Sequence, residues 1–404
     1  MTRPSFVEVD LDAIAYNAAV LAEVARPARL CAVVKADGYG HGAVPAARAA
    51  LAGGADMLGV AMVEEGAELR SAGLDAPILV LGPQADDSMS DAVTHRLELM
   101  VSSVAELRAI SAAHRQLGGG NPSTRVHLLV DSGMRRAGVE PRQLASLRAE
   151  AARLPGIEPV AVATHFARAD EPTEPTTDLQ LARFEEALTS LDLTGNEIPM
   201  IHAANSAATI TRPDARFDLV RCGISLYGLA PSPQLESNEV VRRLRPALRV
   251  LSALSLVKAV PAGEGVSYGH HRVTDRPTML GVVPIGYGDG VPRGIGLDPR
   301  AGRAATSGQP GVSALVGGVR RPILGAVTMD QLVLDCTDGP SVGVGDEVVL
   351  LGAQPVASQS QTGVAISPTE WAGWMGTINY EIVTRLGARL RRRYLGVASD
   401  GELS

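Results

Sequence analysis

The sequence predicts an α/β fold, a (β/α)8 TIM-type barrel followed by a C-terminal all-β domain. Three observations carry this expectation. Short β-rich runs alternate with amphipathic segments of helical period through roughly the first 240 residues. There are eight such runs, which suits a closed barrel of parallel strands. Beyond that point the chain changes to β-like runs separated by Gly/Pro turns.

The eight runs are LCAVVKA (30–36), MLGVAM (57–62), PILVLG (77–82), LELMVS (97–102), RVHLLVDS (125–132), PVAVATHF (159–166), PMIHAAN (199–205) and DLVRCGI (218–224). Segments such as PAARAALAGG and VAELRAISAAHRQL lie between them. The first βα turn carries no GxGxxG, so an open dinucleotide-binding sheet gains no support. The barrel is expected over 1–240 and the β-rich domain over 241–404. Within the latter, ILGAVTMDQLVLD reads as a β-like run, and one helix is expected over 368–386, opened by Pro368. The tail 396–404 is expected to be disordered.

A chain of 404 residues, 46% hydrophobic and 20% charged, suits two soluble domains. Its net charge of -7 and lack of a basic tract give no reason to expect nucleic acid or an anionic membrane as partner. Cys31, Cys222 and Cys336 are far apart and odd in number, which argues against disulfides and against a metal site. The N-terminus is charged throughout, and no run reaches the roughly 18 apolar residues of a membrane span. A cytoplasmic protein is expected.

Polar residues sit where the barrel strands end. Lys35 closes the first run, Asp131 the fifth, His165 the sixth and Arg221 the eighth, while His202 and Asn205 lie in and after the seventh. In a barrel these ends converge on the face where chemistry occurs. A lysine at the end of an apolar strand has a lowered pKa and can form a Schiff base. Ser206, at the start of a short helix, and the backbone around Gly223 together look like an anion pocket built after strands seven and eight. Arg136 could hold a carboxylate through its planar fork. In the second domain Tyr268 lies between glycines in GEGVSYG, where an acid/base role is open to it.

The motifs VVKADGYGHG, HAANSAA, RCGISLYG, GVSYG, PIGYGDG, TMDQ and INYE, in that order, resemble the alanine racemases, pyridoxal-phosphate enzymes of fold type III. The resemblance runs from about residue 5 to about 390. It implies that Lys35 holds pyridoxal 5'-phosphate covalently and acts as one acid/base, with Tyr268 as the other. It implies that Tyr39, Ser206, Gly223, Ile224 and Tyr380 bind the phosphate and that Arg221 faces the pyridine nitrogen. His165 would link Arg221 to Tyr268, and His202 and Asn205 would line the cofactor pocket. Arg136, Met329 and Asp330 would bind a small amino acid, and a homodimer would complete each site. The implied reaction is alanine racemisation, supplying D-alanine for peptidoglycan.

Two positions depart from the pattern. Leu129 stands where many members carry a lysine that is carbamylated, and Ala326 where they often carry arginine. Both changes fall on the substrate side. They keep open racemisation of another small amino acid such as serine, or a low-turnover protein that sequesters cycloserine-like antibiotics.

Overall fold

The computed structural model describes residues 3–118, 120–191, 200–297, 312–354 and 364–396. Of the tail expected over 396–404, residues 397–404 lie outside them. The chain divides into two compact units, one over Leu11–Arg245 and one formed by Met1–Asp10 with the chain from Pro246 onward. The N-terminal strand β1 (Phe6–Asp10) thus departs from the expected 1–240 assignment. It pairs antiparallel with β10 (Leu248–Ala253) and parallel with Arg391–Leu395, because its alternating apolar face completes that sheet.

In the first unit eight strands form one parallel sheet. They are β2 (Arg29–Val33), β3 (Met57–Val60), β4 (Ile78–Val80), β5 (Glu98–Val101), β6 (Thr124–Leu129), β7 (Ile157–Ala163), β8 (Met200–His202) and β9 (Leu219–Cys222). The order is β8-β7-β6-β5-β4-β3-β2-β9. Each expected run overlaps one of them; β2, β6 and β7 begin one or two residues before their runs. The ring closes between β8 and β9 through Asp218 N to Ile201 O (3.0 Å), Arg221 N to Ala204 O (2.9 Å) and Ile201 N to the Asp218 carboxylate (2.7 Å). The strands are almost wholly buried and read as apolar runs, as parallel strands covered on both faces do.

The helix Leu11–Ala25 seals the ring from outside. Its buried Asn17 donates to Leu226 O (3.1 Å) and Arg245 O (2.8 Å) and accepts from Arg245 N (2.8 Å). It lies against the alanine-rich helix Ala43–Ala52. Small side chains are needed there because the backbones nearly touch: a Cβ on Gly53 would lie 2.1 Å from Ala15 O.

The second unit is mostly β. One sheet contains β1, β10, β15 (Ser313–Val316), β16 (Val319–Pro322), β18 (Glu347–Gln354) and β20 (Arg391–Leu395). A second contains β11 (Leu256–Val260), β14 (Thr278–Val283) and β17 (Leu332–Asp335), while β12 (Gly265–Val266) pairs with β13 (Arg272–Val273) and β19 (Val364–Ile366) pairs with β18. Two expectations need correction. ILGAVTMDQLVLD is not one strand: Gly325 takes φ +72°, and the ladder resumes at Leu332. The expected helix over 368–386 is two, Pro368–Met375 and Asn379–Thr384, because Gly376 adopts a left-handed cap at φ 66°. No helix among the described residues is long and apolar enough to cross a membrane. The three cysteines are buried and free.

The close approach at Gly53 gives a stability test. Gly53→Ala is expected to cost about 3 kcal/mol through overpacking. Its neighbour Gly54 has φ +96°, but a methyl added there would meet nothing within 4 Å, so Gly54→Ala should cost only about 1 kcal/mol of backbone strain. Urea denaturation of the two variants measures the difference.

Candidate active site

Lys35 follows β2 and enters an unusual turn. Ala36, Asp37, Gly38 and Tyr39 have φ of 52°, 52°, 59° and 53°, one turn of left-handed helix. Only Gly38 adopts that region without strain, and each other residue costs about 1–2 kcal/mol. Surrounding contacts hold the turn. Ala36 N donates to Glu65 Oε1 (2.6 Å), Ala43 N donates to Asp37 Oδ1 (2.9 Å), and the Tyr227 ring packs against His41 (4.3 Å) and Tyr39 (5.2 Å). Strain concentrated beside a lysine at the strand-end face is a mark of a functional position. The Lys35 amine is held below the usual lysine range, first by burial and then by the Arg136 charge, with Glu65 opposing. The whole chain has only two lysines, Lys35 and Lys258, a signal that the sequence offers and that reading by strand pattern passes over.

Arg221 is 5% exposed on β9. It donates to His202 Nδ1 (2.7 Å), Thr164 O (2.8 Å), Ala203 O (3.1 Å) and His165 Nδ1 (3.1 Å). Burial pulls its pKa down to about 10. His165 is pushed down to about 3, by burial first and then by Arg221, Arg136 and Lys35, so all three cations lie close enough to act on His165. His202 is fully buried and spends both nitrogens, on Arg221 and on His127 Nδ1 (2.8 Å). It therefore supports Arg221 from below. His127 continues to Glu98 (2.8 Å), and Glu98 to Arg125 (2.6 Å). Sequence reasoning missed Glu98 and His127. The available signal was a charged and an ionisable residue inside LELMVS and RVHLLVDS, two runs otherwise suited to a barrel interior.

Ser206 begins the short helix Ser206–Thr211, but the cap is Asn205, whose Oδ1 accepts from Ala208 N (3.1 Å). Ser206 is thereby released from capping, and its hydroxyl accepts from Gly223 N (2.9 Å). A Cβ on Gly223 would lie 2.3 Å from the Tyr39 hydroxyl, so only glycine lets that hydroxyl and the Ser206 hydroxyl meet at the same backbone. Ile224 opens the 3-10 turn Ile224–Tyr227, whose first N–H groups have no partner within the turn. Tyr39, Ser206, Gly223 and Ile224 thus gather hydroxyl and amide groups on one spot.

On the loop after β6, Arg135 is tied to Glu140 (2.7 Å), whereas the exposed Arg136 has no hydrogen bond or ion pair among the described residues. Leu129 beneath is buried and apolar. In the second unit Tyr268 is 74% exposed and opens a 3-10 turn after Ser267. Ser267 has φ 61° and donates to Ala326 O (2.6 Å). Ser267, Tyr268, Gly269, His270 and Thr328 line an open cavity of about 440 Å³. Met329 is 52% exposed, and Asp330 accepts from Arg389 (2.6 Å). PIGYGDG lies against this segment: Tyr287 N donates to Thr328 O and Gly288 N to Met329 O, both at 2.9 Å. Buried Asp289 takes two bonds from Arg3 (2.6 and 2.5 Å) and faces Arg389 (3.3 Å). Tyr380 lies on Asn379–Thr384, half-buried.

Neutral buried histidines make stability fall in acid. An unfolded imidazole takes a proton near its ordinary pKa of about 6.5. Folded His165 refuses it until about pH 3. Stability is therefore full above pH 6.5 and is lost as pH falls toward 3. Urea midpoints across this window should drop steeply for the native chain, and less steeply for His165→Gln.

Comparison with known proteins agrees with this geometry. A family model described as alanine racemase, N-terminal domain, matches residues 9–231, and one described as alanine racemase, C-terminal domain, matches residues 247–394. The alanine racemase of Thermobifida fusca is 45% identical over 97% of this chain and 99% of its own. That of Salinispora tropica is 46% identical over 96% and 98%. Among solved structures, the alanine racemase of D-cycloserine-producing Streptomyces lavendulae superposes with a TM-score of 0.85 at 39% identity, covering 98% of both chains. The Bacillus anthracis enzyme, determined with bound L-Ala-P, gives 0.85 at 35%, covering 98% of this chain and 96% of that one. The chain belongs to the alanine racemase family, whose reaction is pyridoxal-phosphate-dependent racemisation.

Proposed function

We propose that this racemase interconverts L- and D-alanine with two bases, Lys35 Nζ moving the Cα proton on one face of the substrate and Tyr268 Oη on the other. The observation that carries the reading is Lys35 itself, a lysine with a depressed pKa leaving a strained turn beside Arg221, Arg136 and His165. Two groups on opposite faces can invert a carbon with small motions, whereas a single group would have to cross it.

The residues present fit pyridoxal phosphate. The glycine cradle at Gly223, the Tyr39 and Ser206 hydroxyls and the Ile224 amide suit a phosphate, which Tyr380 would also bind by the family pattern. Lys35 would hold the group covalently. When bound, it supplies an electron sink that acidifies the substrate Cα–H. Arg221 would face the pyridine nitrogen. A guanidinium donates a hydrogen bond there while keeping its proton, which favours return of the proton to Cα over side reactions. Neutral His165 accepts from Arg221, which is how it would join Arg221 to Tyr268. His202 and the Asn205 cap fix the floor and rim of that pocket. Arg136, which has no hydrogen bond or ion pair among the described residues, would take the substrate carboxylate, and Met329 and Asp330 would close a small pocket, with Arg389 holding Asp330.

The reading includes a homodimer in which the partner supplies Tyr268, Met329 and Asp330. Its support is the unusual exposure of Tyr268, Tyr287, Met329 and Ile378 on the second unit. Cytoplasmic supply of D-alanine for peptidoglycan completes it.

The first test is D-alanine formation from L-alanine by the purified protein with added pyridoxal phosphate. Lys35→Ala is expected to lose turnover and the absorption of the lysine-bound cofactor. Persistence of that band would shift the attachment to Lys258. Tyr268→Phe should keep the band and lose about 10²–10⁴-fold in rate. Mixing and reassociating the two inactive variants should restore activity, because each mixed dimer would contain one site with native Lys35 and native Tyr268. No recovery would refute the shared site.

A further inference from the structure

A barrel interior of this kind is ordinarily filled with branched apolar side chains. Here one thread of it is polar. Glu98 opens β5, His127 lies within β6, His202 ends β8 and Arg221 lies in β9, and all four are buried. They are joined end to end: Arg221 Nη1 to His202 Nδ1 at 2.7 Å, His202 Nε2 to His127 Nδ1 at 2.8 Å, and His127 Nε2 to Glu98 Oε2 at 2.8 Å. Arg125 Nη1 donates to the other Glu98 oxygen at 2.6 Å.

Counting hydrogens along this thread leaves one arrangement. A guanidinium only donates, so His202 Nδ1 must accept. His202 then carries its single proton on Nε2 and donates to His127 Nδ1. His127 in turn carries its proton on Nε2 and donates to the Glu98 carboxylate. Both rings are neutral, and every bond points the same way, from the buried cation to the buried anion.

We propose that Glu98 is the counter-charge of Arg221, acting through His127 and His202, and that Glu98 and His127 are positioning residues that set the orientation and donor strength of the guanidinium. The importance of that guanidinium to the cofactor rests on the function proposed above; the thread itself does not. Hydrogen bonds aligned head to tail polarise one another in a low-dielectric interior. A carboxylate accepting from His127 Nε2 makes His127 Nδ1 a stronger acceptor from His202, and hence His202 Nδ1 a stronger acceptor from Arg221. Merely filling space would need neither a common direction nor a charged acceptor, and an apolar layer would do it at less cost. Burial also keeps both imidazoles below their ordinary pKa, which agrees with two neutral rings.

The test is nitrogen NMR of the holoenzyme labelled with 15N-histidine, with the eight histidines assigned by single substitutions. Native protein is expected to show His127 and His202 neutral, each protonated on Nε2. A proton on Nδ1 of either ring, or a cationic ring, would overturn the proposal, and this measurement needs no variant that might fail to fold. Glu98→Gln preserves shape but removes the charge. It is expected to shift both ring signals or divide them between tautomers, and to move the cofactor absorption band, with the melting temperature little changed. Unmoved ring signals would overturn the proposal. Arg221→Lys serves as the separate control. If it leaves the cofactor band in place, the role proposed for Arg221 fails, while the ring tautomers still decide the thread.

Discussion

Burying Arg221 inside the barrel is the constraint around which the first unit is arranged. A lone guanidinium in a protein interior costs several kcal/mol unless its donors are met and its charge is answered. Two carbonyls and two imidazoles meet the donors. The acceptors are the two residues that follow β7, the last residue of β8 and the one after it, so the arginine is also what ties these strand ends together where β8 and β9 lack a regular ladder. Burial first, and then the same cation, lower the pKa of His165 and His202, which keeps both imidazoles beside Arg221 neutral.

Across the barrel mouth a second cost is carried at Lys35. Three non-glycine residues in left-handed conformation are unfavourable locally and persist because Glu65, Asp37 and the packing on Tyr227 over-determine them. The turn sends the chain back toward the strand ends within five residues, which brings Tyr39 to Gly223 directly after Lys35 has been placed. One short strained segment thus serves both the amine and the anion cradle. A regular right-handed turn would separate them.

Much of this is legible in the sequence, for identifiable reasons. The eight barrel strands announce themselves because buried parallel strands must be continuous apolar runs. Lys35, His165 and Arg221 stand out because polar residues at the ends of such runs have few structural uses. What escapes is whatever depends on conformation or on distant pairing. KADGYGHG spells a glycine-rich turn but not its hand. The composition of HAANSAA allows either Asn205 or Ser206 to cap the short helix, and only backbone geometry chooses Asn205. Strand β1 falls to the barrel by its position in the chain, although its partners lie some 240 residues away in the second unit. Glu98 and His127 stay hidden because a strand is read by its average, and each run remains apolar on average.

The cofactor side and the substrate side obey different physics, and this bears on the two departures from the family pattern. The residues around Arg221 are buried, mutually bonded and rigid, so a change there would propagate. Arg136, Met329 and the carboxylate of Asp330 are exposed, and only Asp330 has a charged partner, Arg389. Leu129 and Ala326 fall in this second group or directly beneath it. Leu129 is buried without a polar contact to offer Arg136, and Ala326 contributes its backbone oxygen to Ser267. Both are buried and apolar, so neither carries a charge into the interior. On the proposed function, in which Arg136 takes the substrate carboxylate, they would act on how firmly that carboxylate is oriented, and so on substrate preference, while the buried arginine and its partners are left as they are.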